Sequence, residues 1–285
     1  MVSFEINGNT GILAIFGHPV QHSLSPAMHN AVFYHLGWNY RYIPCDVPSE
    51  QLSTAIDAIQ ALNFKGVNLT IPHKQAAINA LDEIYGDSLE SGSVNTIIRH
   101  HGKLTGTSTD GIGFIRSLRE EGRFDPTGKN VLLLGAGGTA LAVVYRLIHA
   151  GIKRLTLINR DCSKAQILGE RIRKKTGFEP EVHGLDHLAA LSGTEFDLVV
   201  NSTSVGLHDD QALLPKEFLN SRQFVYDVVY RPGGTRLVND ARNTGCQVLS
   251  GLSLLIYQGA ESFRLWFDTE PPLDIMRNAV LGETQ

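Results

Sequence analysis

Short apolar runs alternate with amphipathic stretches along the whole chain. Continuous apolar runs at residues 12–16 and 130–134 are typical of strands that are covered on both faces. Other stretches, such as residues 49–62, repeat their apolar positions at helical spacing. This alternation of strands and helices predicts an α/β fold with parallel strands.

The same pattern places the individual elements. In the first part of the chain it predicts strands at 12–16, 40–47 and 65–70, a hairpin of 94–98 with 103–106, and helices at 25–36, 49–62, from Pro72 onward and from Asp110 to about Gly122. In the second part it predicts strands at 130–134, 154–158, 197–200, 224–229 and 247–249, helices after residue 134 and at 165–175, and a long last helix at 251–267.

A polar, turn-rich segment at residues 123–128 separates the two parts, and the helix before it is a candidate connector. The length of 285 residues suits two domains. We therefore place a first domain at residues 1–110. A second domain, with the repeating pattern of a doubly wound sheet, follows at residues 111–250.

Composition narrows the function classes. Hydrophobic residues make up 42% of the chain and charged residues 19%, which is ordinary for a folded protein. The net charge of −4 gives no overall basic field, so we expect neither nucleic acid nor a membrane as a partner. Three cysteines far apart in the sequence suit a reducing compartment. The first apolar run is too short to span a bilayer and follows no basic leader, so a cytoplasmic protein is expected.

A glycine-rich turn follows the strand predicted at residues 130–134. It fits the pattern G-x-G-x-x-A, and the candidate cofactor-binding residues in it are Gly135, Ala136, Gly137, Gly138, Thr139 and Ala140. Between a strand and a helix, Gly135 permits a tight turn, Gly137 lets the backbone approach a pyrophosphate, and Ala140 lets the helix pack closely. The helix N-terminus attracts the anion. The alternative is a tight turn that binds nothing.

Residues after the next strand select between the two nicotinamide cofactors. A site for NAD usually has Asp or Glu about 20 residues beyond the glycines. This chain has Asn159 and Arg160 there, with Lys164 one helical turn later. A guanidinium grips a 2′-phosphate well, which favours NADP. Asp161 is a complication, because its carboxylate could repel the same phosphate, and a solvated helix entrance is the alternative for both cations.

Two serines precede the first predicted helix. The hydroxyls of Ser23 and Ser25 and the free amides of the helix start could together hold a carboxylate, although both serines could instead only cap the helix. Three histidines lie nearby, but no matching carboxylate or cysteine set accompanies them. No metal site is therefore expected.

Polar residues also mark three later ends of predicted strands and helices. Thr70 ends a buried strand, and Lys74 follows in the first turn of a helix, where a cation is slightly unfavourable. Asn95 lies in a predicted strand although asparagine is a poor strand former. Asp110 begins a helix. Each of these residues also has a plain interpretation. Lys74 could be an exposed lysine, Asn95 the end of a sheet ladder, and Asp110 a helix cap.

Taken together and in this order, the motifs resemble those of the shikimate dehydrogenase family, including its quinate/shikimate dehydrogenases. The resemblance runs from Gly17 to Trp266. Its segments are GHPVQHSLSPAMHN (17–30), GVNLTIPHK (66–74), VNT (94–96), TDGIG (109–113), GAGGTALA (135–142), NST (201–203), DVVYRPGGT (227–235) and GLSLLIYQGAESFRLW (251–266).

The resemblance implies a substrate domain and a Rossmann-like NADP domain with a cleft between them, the first completed by residues 251–285. It implies reversible reduction of 3-dehydroshikimate to shikimate in chorismate and aromatic amino acid biosynthesis. By motif, Lys74 and Asp110 would be catalytic, Ser23, Ser25, Thr70, Asn95, Tyr230 and Gln258 would bind the substrate, and Asn159, Arg160, Lys164, Thr203, Val228 and Gly251 would bind the cofactor. Lys74 would exchange the proton, and Asp110 would orient its ammonium.

Departures from the family pattern leave two alternatives. Asp161 stands where Thr is frequent, which keeps open a quinate or dual quinate/shikimate enzyme that uses NAD or NADP. Quinate-preferring members of the family often have Thr at the position of Ser25, so Ser25 favours shikimate. The single methyl group by which Thr differs from Ser discriminates weakly between the two substrates. A non-catalytic NADP-binding sensor is the alternative of another class, which the intact Lys74 and Asp110 disfavour. The expected partners are small molecules, and the expected assembly is a monomer or homodimer.

Overall fold

Within residues 5–282, which the computed structural model describes, twelve strands form two six-stranded sheets. Each sheet belongs to one unit of the chain. The first unit comprises the chain up to Gly113 and again from Leu255 onward, and the second comprises Phe114–Leu254. The α/β fold class is confirmed.

The sheet of the first unit is mixed. Its strands are β1 (Gly11–Gly17), β2 (Tyr40–Asp46), β3 (Gly66–Leu69), β4 (Glu83–Ile84), β5 (Thr96–His100) and β6 (Lys103–Thr107), in the order β2-β1-β3-β5-β6-β4. Strand β1 pairs in parallel with β2 and β3, but β5 runs antiparallel to β3 and β6. The prediction of parallel strands is therefore wrong for this half of the sheet. The predicted β5–β6 hairpin is the reason: His101 and Gly102 both have positive φ, which suits a tight turn between antiparallel strands.

Helices cover this sheet. They are α1 (Ser25–Leu36), α2 (Leu52–Ala61), α3 (His73–Ala76), α4 (Asp87–Ser91), α5 (Asp110–Arg116), α9 (Gly251–Phe267) and α10 (Leu273–Leu281), with 3₁₀ turns at Ser49–Gln51 and Ala77–Ala80. Helix α5 passes from the first unit into the second after Gly113, and α9 belongs to the first unit from Leu255 onward. An apolar core lies around residues such as Ile56, Val67 and Ile97.

Aromatic side chains attach α9 to the rest of the first unit. The Trp266 indole donates to the Ile97 carbonyl oxygen over 3.0 Å, and Phe263 packs between Phe33 and Trp38. Gly66 is needed beneath Trp266, because any Cβ at that position would overlap the indole ring. The C-terminal helix is thus an integral part of the first unit's packing.

The sheet of the second unit is entirely parallel, as predicted. Its strands are β7 (Asn130–Leu134), β8 (Arg154–Asn159), β9 (Glu181–Gly184), β10 (Leu198–Asn201), β11 (Phe224–Asp227) and β12 (Gln247–Ser250), in the order β12-β11-β10-β7-β8-β9. The helices are α6 (Gly138–His149), α7 (Cys162–Thr176) and α8 (Arg236–Asn243), with a π-helical turn at Ser117–Glu121 and 3₁₀ turns at Leu185–Ala190, Gly193–Glu195 and Lys216–Phe218. The strand order reverses between β7 and β10. The carboxyl ends of these two strands therefore form the switch point at which doubly wound sheets bind ligands.

None of the helices within residues 5–282 combines the length and the apolar character needed to cross a membrane. The same residues contain no group of three or more His, Cys, Asp or Glu side chains placed to hold a metal ion.

Candidate functional site

Lys74 and Asp110 form a close, largely buried ion pair in the first unit. Lys74 lies on the short helix α3 and Asp110 is the first residue of α5. The Lys74 Nζ lies 2.6 Å from Asp110 Oδ2, and the two side chains are 21% and 6% exposed. Lys74 is therefore not a freely exposed lysine, and Asp110 uses one carboxylate oxygen on it. The pair is a short, charge-assisted hydrogen bond that fixes the ammonium in place.

Asn95 holds the other oxygen of Asp110. Its Nδ2 donates to Asp110 Oδ1 over 2.8 Å and lies 3.3 Å from Gln258 Oε1. Gln258 in turn donates to the Leu255 carbonyl oxygen within α9. The structure thus brings together four of the residues predicted at the substrate site: Lys74, Asp110, Asn95 and Gln258.

The prediction missed a buried polar cluster behind these residues. Its members are Asn68, Thr96, Thr109 and Ser262, all 5% exposed or less. All four lie within the quoted motifs, and a polar side chain inside a buried strand such as β3 is a usable signal. For Ser262 the sequence offers only a weak signal. It lies four residues after Gln258 and therefore on the same face of the helix.

Ser23 and Ser25 lie at the start of α1 without capping it. The N-cap residue is Leu24, and no side chain caps the helix, so the cap interpretation is wrong. Instead the Ser25 amide donates to Ser23 Oγ over 3.3 Å. Because the Ser25 amide is taken by Ser23 and Pro26 has no N–H, the two serine hydroxyls are the main donors that this helix start offers to an anion.

Tyr42 connects Ser25 to the buried polar cluster. Its hydroxyl donates to Asn68 Oδ1 over 2.7 Å. Burial raises the pKa of Tyr42 well above its ordinary value, and a hydrogen bond with Ser25 opposes part of this effect. The phenol therefore stays neutral, donates its one proton to Asn68 and accepts from Ser25.

His29 lies beneath Ser25 on the buried side of α1. Its ring stacks on Tyr42 with 4.5 Å between centroids, and within residues 5–282 neither ring nitrogen has a hydrogen-bond partner. Burial lowers the pKa of His29 from 6.5 to about 3. The histidine is therefore a neutral packing residue.

Two predicted substrate residues are not joined to this group. Thr70 follows β3, where its amide donates to Phe16 O and its carbonyl accepts from the His73 amide. The hydrogen bonds found within residues 5–282 do not include its hydroxyl. Tyr230 lies in the second unit.

The glycine-rich turn of the second unit follows β7 at the switch point of the sheet. Gly135 has φ of 110°, and a Cβ there would lie 2.6 Å from Ser202 Oγ, so only glycine fits. Ser202 Oγ donates to the Leu134 carbonyl oxygen over 2.7 Å and closes the turn. Ala140 is fully buried at the start of α6. Gly135 thus permits the tight turn, and the small Ala140 lets the helix pack closely, as expected from the sequence.

Gly137 and Gly138 face open space. A Cβ at either position would meet nothing within 4 Å, so the fold itself does not require glycine there. Gly137 is the N-cap of α6 and no side chain caps the helix. The exposed backbone amides therefore form a shallow cradle that can receive an anion.

The segment after β8 presents two cations. Arg160 and Lys164 are exposed, and within residues 5–282 no carboxylate lies at ion-pair distance from either. Asp161 is the N-cap of α7, where its side chain accepts from the Ser163 amide over 3.1 Å. Asn159 Nδ2 donates to the Asp161 carbonyl oxygen over 2.9 Å. The Asp161 carboxylate therefore has a structural role in shaping this turn.

A buried carboxylate orders the turns after β10 and β11. Asp227 accepts from Asn201 Nδ2 over 2.9 Å and from Thr235 Oγ1 over 2.5 Å. Asn201 Oδ1 accepts from the Thr203 hydroxyl over 2.7 Å. Burial raises the pKa of Asp227, while these hydrogen bonds oppose the effect. Asn201, Asp227 and Thr235 were not predicted as site residues, although all three lie in the quoted motifs.

Val228 and Gly251 are neighbours at the same edge. The Val228 amide donates to Asn201 O over 2.9 Å, and the Gly251 amide donates to Val229 O over 3.2 Å. A Cβ at Gly251 would overlap the Val228 carbonyl, so glycine is required. Their proximity to Thr203 places three more predicted cofactor residues along one edge of the sheet.

Family models match three stretches of the chain. The model of the shikimate dehydrogenase substrate binding domain matches residues 15–97. The model of shikimate / quinate 5-dehydrogenase matches residues 119–215, and that of the shikimate 5′-dehydrogenase C-terminal domain matches residues 251–281.

Individual proteins and structures are similar over nearly the whole length. A shikimate dehydrogenase (NADP(+)) of Methanopyrus kandleri is 41% identical, and the match covers 98% of each chain. A crystal structure of a shikimate dehydrogenase in complex with NADP+ is 37% identical with a TM-score of 0.91, covering 99% of this chain and 98% of the other. A quinate dehydrogenase from Corynebacterium glutamicum in complex with NAD is 32% identical with a TM-score of 0.88, covering 96% and 99%.

The family models and the full-length similarity agree with the motifs found in the sequence. The chain belongs to the shikimate dehydrogenase family.

Proposed function

We propose that the protein is an NADP(H)-dependent shikimate dehydrogenase that reversibly reduces 3-dehydroshikimate to shikimate. The observation that carries the proposal is the buried Lys74–Asp110 pair, in which a short hydrogen bond joins an ammonium to a carboxylate beside Asn95. Its support from similarity is the family membership and the name of the Methanopyrus kandleri relative.

The first unit is proposed to bind the substrate and handle its proton. Ketone reduction needs a proton for the oxygen, and Lys74 Nζ is the donor, or the acceptor in the direction of oxidation. Asp110 Oδ2 keeps the ammonium in place, while Asn95 and Gln258 supply polar atoms for ring hydroxyls. The hydroxyls of Ser23 and Ser25 are proposed to bind the carboxylate, with Thr70 and Tyr230 as further substrate residues.

The second unit is proposed to bind NADP. The amides around Gly137 and Gly138 fit a pyrophosphate because open space lies above both glycines. Arg160 and Lys164 fit a 2′-phosphate because they are exposed cations, and Asn159, Thr203, Val228 and Gly251 complete the proposed site along the same edge. The bound cofactor would supply the hydride, and the residues of this chain would bind the cofactor and orient it toward the substrate.

A second candidate function is oxidation of quinate, alone or together with shikimate, with NAD or NADP. The similarity to the quinate dehydrogenase in complex with NAD favours this function. The family model of shikimate / quinate 5-dehydrogenase, which matches residues 119–215, favours it as well. A cytoplasmic location and a monomeric or dimeric state stay predictions from the sequence.

The deciding experiment is an initial-rate assay of shikimate and quinate oxidation, each with NADP+ and with NAD+, followed by absorbance of the reduced nicotinamide. We expect the highest kcat/KM with shikimate and NADP+. Preference for quinate or for NAD+ would move the protein to the second candidate. No turnover of either acid with either cofactor would contradict both.

A further inference from the structure

We propose that Ser262 on helix α9 is a positioning residue for the reaction. Together with Thr96 and Thr109 it forms a set of three buried hydroxyls, the hydroxyl triad, which fixes the orientation of Asn95 and through it the Asp110 carboxylate. The inference rests on the proposed function, because it concerns how the Lys74–Asp110 pair is held.

Ser262 is the member of the triad that joins helix α9 to the rest of the unit. Its Oγ lies 2.8 Å from Thr96 Oγ1 and 3.1 Å from Thr109 Oγ1. Its one proton can go to Thr96 Oγ1 or to the Gln258 carbonyl oxygen, 3.0 Å away, and its oxygen accepts from Asn68 Nδ2 over 3.1 Å. All three hydroxyl residues are fully buried, so these partners are what satisfies them.

The triad and the adjoining backbone leave Asn95 one orientation. Asn95 Oδ1 accepts from the Thr109 amide over 2.8 Å and from Thr96 Oγ1 over 2.9 Å. Because a backbone N–H can only donate, the oxygen of Asn95 must face Thr109, and its NH₂ group must face Asp110 Oδ1. A reversed amide would place two donors together at Thr109 and an oxygen against the carboxylate.

Ser262 limits how the two threonine hydroxyls can turn. Without its Oγ, Thr96 and Thr109 would each lose a partner where the nearest groups exclude water. Since Thr96 Oγ1 gives its one proton to Asn95 Oδ1, it can only accept from Ser262, and the loss of that donor would weaken the polarised contact of Thr96 with Asn95. Asn95 would keep its contacts with the Thr109 amide and with Asp110, but the amide and the carboxylate would be held less firmly in their orientation toward Lys74. Small misplacements of catalytic groups lower rates strongly.

The test compares Ser262→Ala with Ser88→Ala in the full-length enzyme. Ser88 is a matched control, since its hydroxyl is also fully buried in the first unit but donates to the Ser93 carbonyl oxygen over 2.6 Å. For Ser262→Ala we expect kcat for shikimate oxidation to fall about tenfold, with KM for NADP+ within about twofold of wild type. We also expect a larger solvent deuterium isotope effect on kcat, because proton transfer becomes slower relative to the other steps. Ser88→Ala should keep the wild-type kcat and isotope effect.

A second variant tests the triad independently of Ser262 and keeps the proposal open to contradiction if Ser262→Ala does not fold. Thr96→Val conserves shape and removes the hydroxyl, and we expect it to lower kcat as well. In the double variant the two losses should combine to less than their product, since both act through Asn95. Wild-type levels of kcat and isotope effect in folded Ser262→Ala, or in Thr96→Val, would overturn the inference while leaving the proposed function intact. Absence of wild-type turnover would instead overturn the proposed function and this inference with it.

Discussion

The Lys74 ammonium lies 2.6 Å from Asp110 Oδ2, although 36 residues separate the two in sequence. Helix α3 brings the lysine and helix α5 brings the aspartate, each in the first turn. Asp110 uses its second oxygen to accept from Asn95. The carboxylate is thus held on two sides, by Lys74 on one oxygen and by Asn95 on the other.

Removal of that ammonium should abolish most turnover. For Lys74→Ala we expect kcat to fall by about 10² or more, because general acid–base catalysis contributes a factor of this size. The midpoint of thermal unfolding should fall as well, because Asp110 is 6% exposed and would lose its charged partner. Steady-state kinetics with calorimetry on the same sample checks both. Lys103→Ala, an exposed lysine of strand β6, is the control, and normal turnover of Lys74→Ala would exclude Lys74 as the proton carrier.

The hydroxyl of Ser25 should matter for substrate binding more than for chemistry. In Ser25→Ala we expect KM for shikimate to rise by about tenfold with a smaller change in kcat, because a hydrogen bond to a charged group is worth about 1.5–3 kcal/mol. Ser53→Ala, on the exposed side of α2, serves as the control. An unchanged KM would remove Ser25 from the carboxylate site.

The guanidinium of Arg160 should discriminate between the two cofactors. Arg160→Ala should raise KM for NADP+ by about tenfold or more and leave KM for NAD+ nearly unchanged, since only NADP+ has the 2′-phosphate. The exposed Lys153 provides the control variant Lys153→Ala. Equal losses with both cofactors would show that Arg160 does not read the phosphate.

A change at Asp161 can separate its charge from its role as the N-cap of α7. Threonine also caps helices, so Asp161→Thr should keep the helix start and remove a negative charge near Arg160. We expect NADPH to bind severalfold more tightly, as measured by calorimetric titration. Thermal unfolding of the variant checks that the cap is preserved. Unchanged affinity would indicate that the capping carboxylate does not act on the phosphate.

Burial of His29 should make the folded state sensitive to acid. Its pKa is lowered from 6.5 to about 3 in the folded chain, so below 6.5 the unfolded chain binds a proton that the folded chain does not. The free energy of unfolding is therefore highest above this pH and falls as pH decreases, by about 1.4 kcal/mol per pH unit, or about 2 kcal/mol by about pH 5. His29→Phe keeps an aromatic ring and should lose this part of the pH dependence in urea unfolding. His35→Phe, on the exposed side of the same helix, is the control, and an unchanged slope in His29→Phe would contradict the assignment.

Local sequence signals predicted much of the second unit. The turn at Gly135 needs a conformation that only glycine adopts without strain, and a long apolar run precedes it. Both features depend only on residues that are consecutive in the sequence, so local patterns are enough to predict them. Strands β4 and β9 escaped prediction because they are short and carry polar residues such as Glu83 and Glu181, which give no apolar periodicity.

Long-range pairing limited the prediction of the candidate site. Lys74, Asp110 and Asn95 were found because their motifs contain residue types that suit the chemistry. Ser262 was missed because its partners lie far away in sequence and a buried serine on an apolar helix has no distinctive pattern. The wrong expectation for the sheet of the first unit has a similar cause, since the hairpin was found but its antiparallel pairing with β3 depends on distant residues.

The hydrogen bond between Asn68 and Ser262 spans 194 residues. During synthesis the ribosome therefore releases strand β3 long before helix α9 exists, and the entire second unit is translated in between. Until then Asn68 and the two threonines lack the serine, and Phe33 and Tyr42 lack the aromatic side chains of Phe263 and Trp266. These polar and aromatic groups stay uncovered in the nascent first unit, which can complete its packing only after helix α9 has left the exit tunnel.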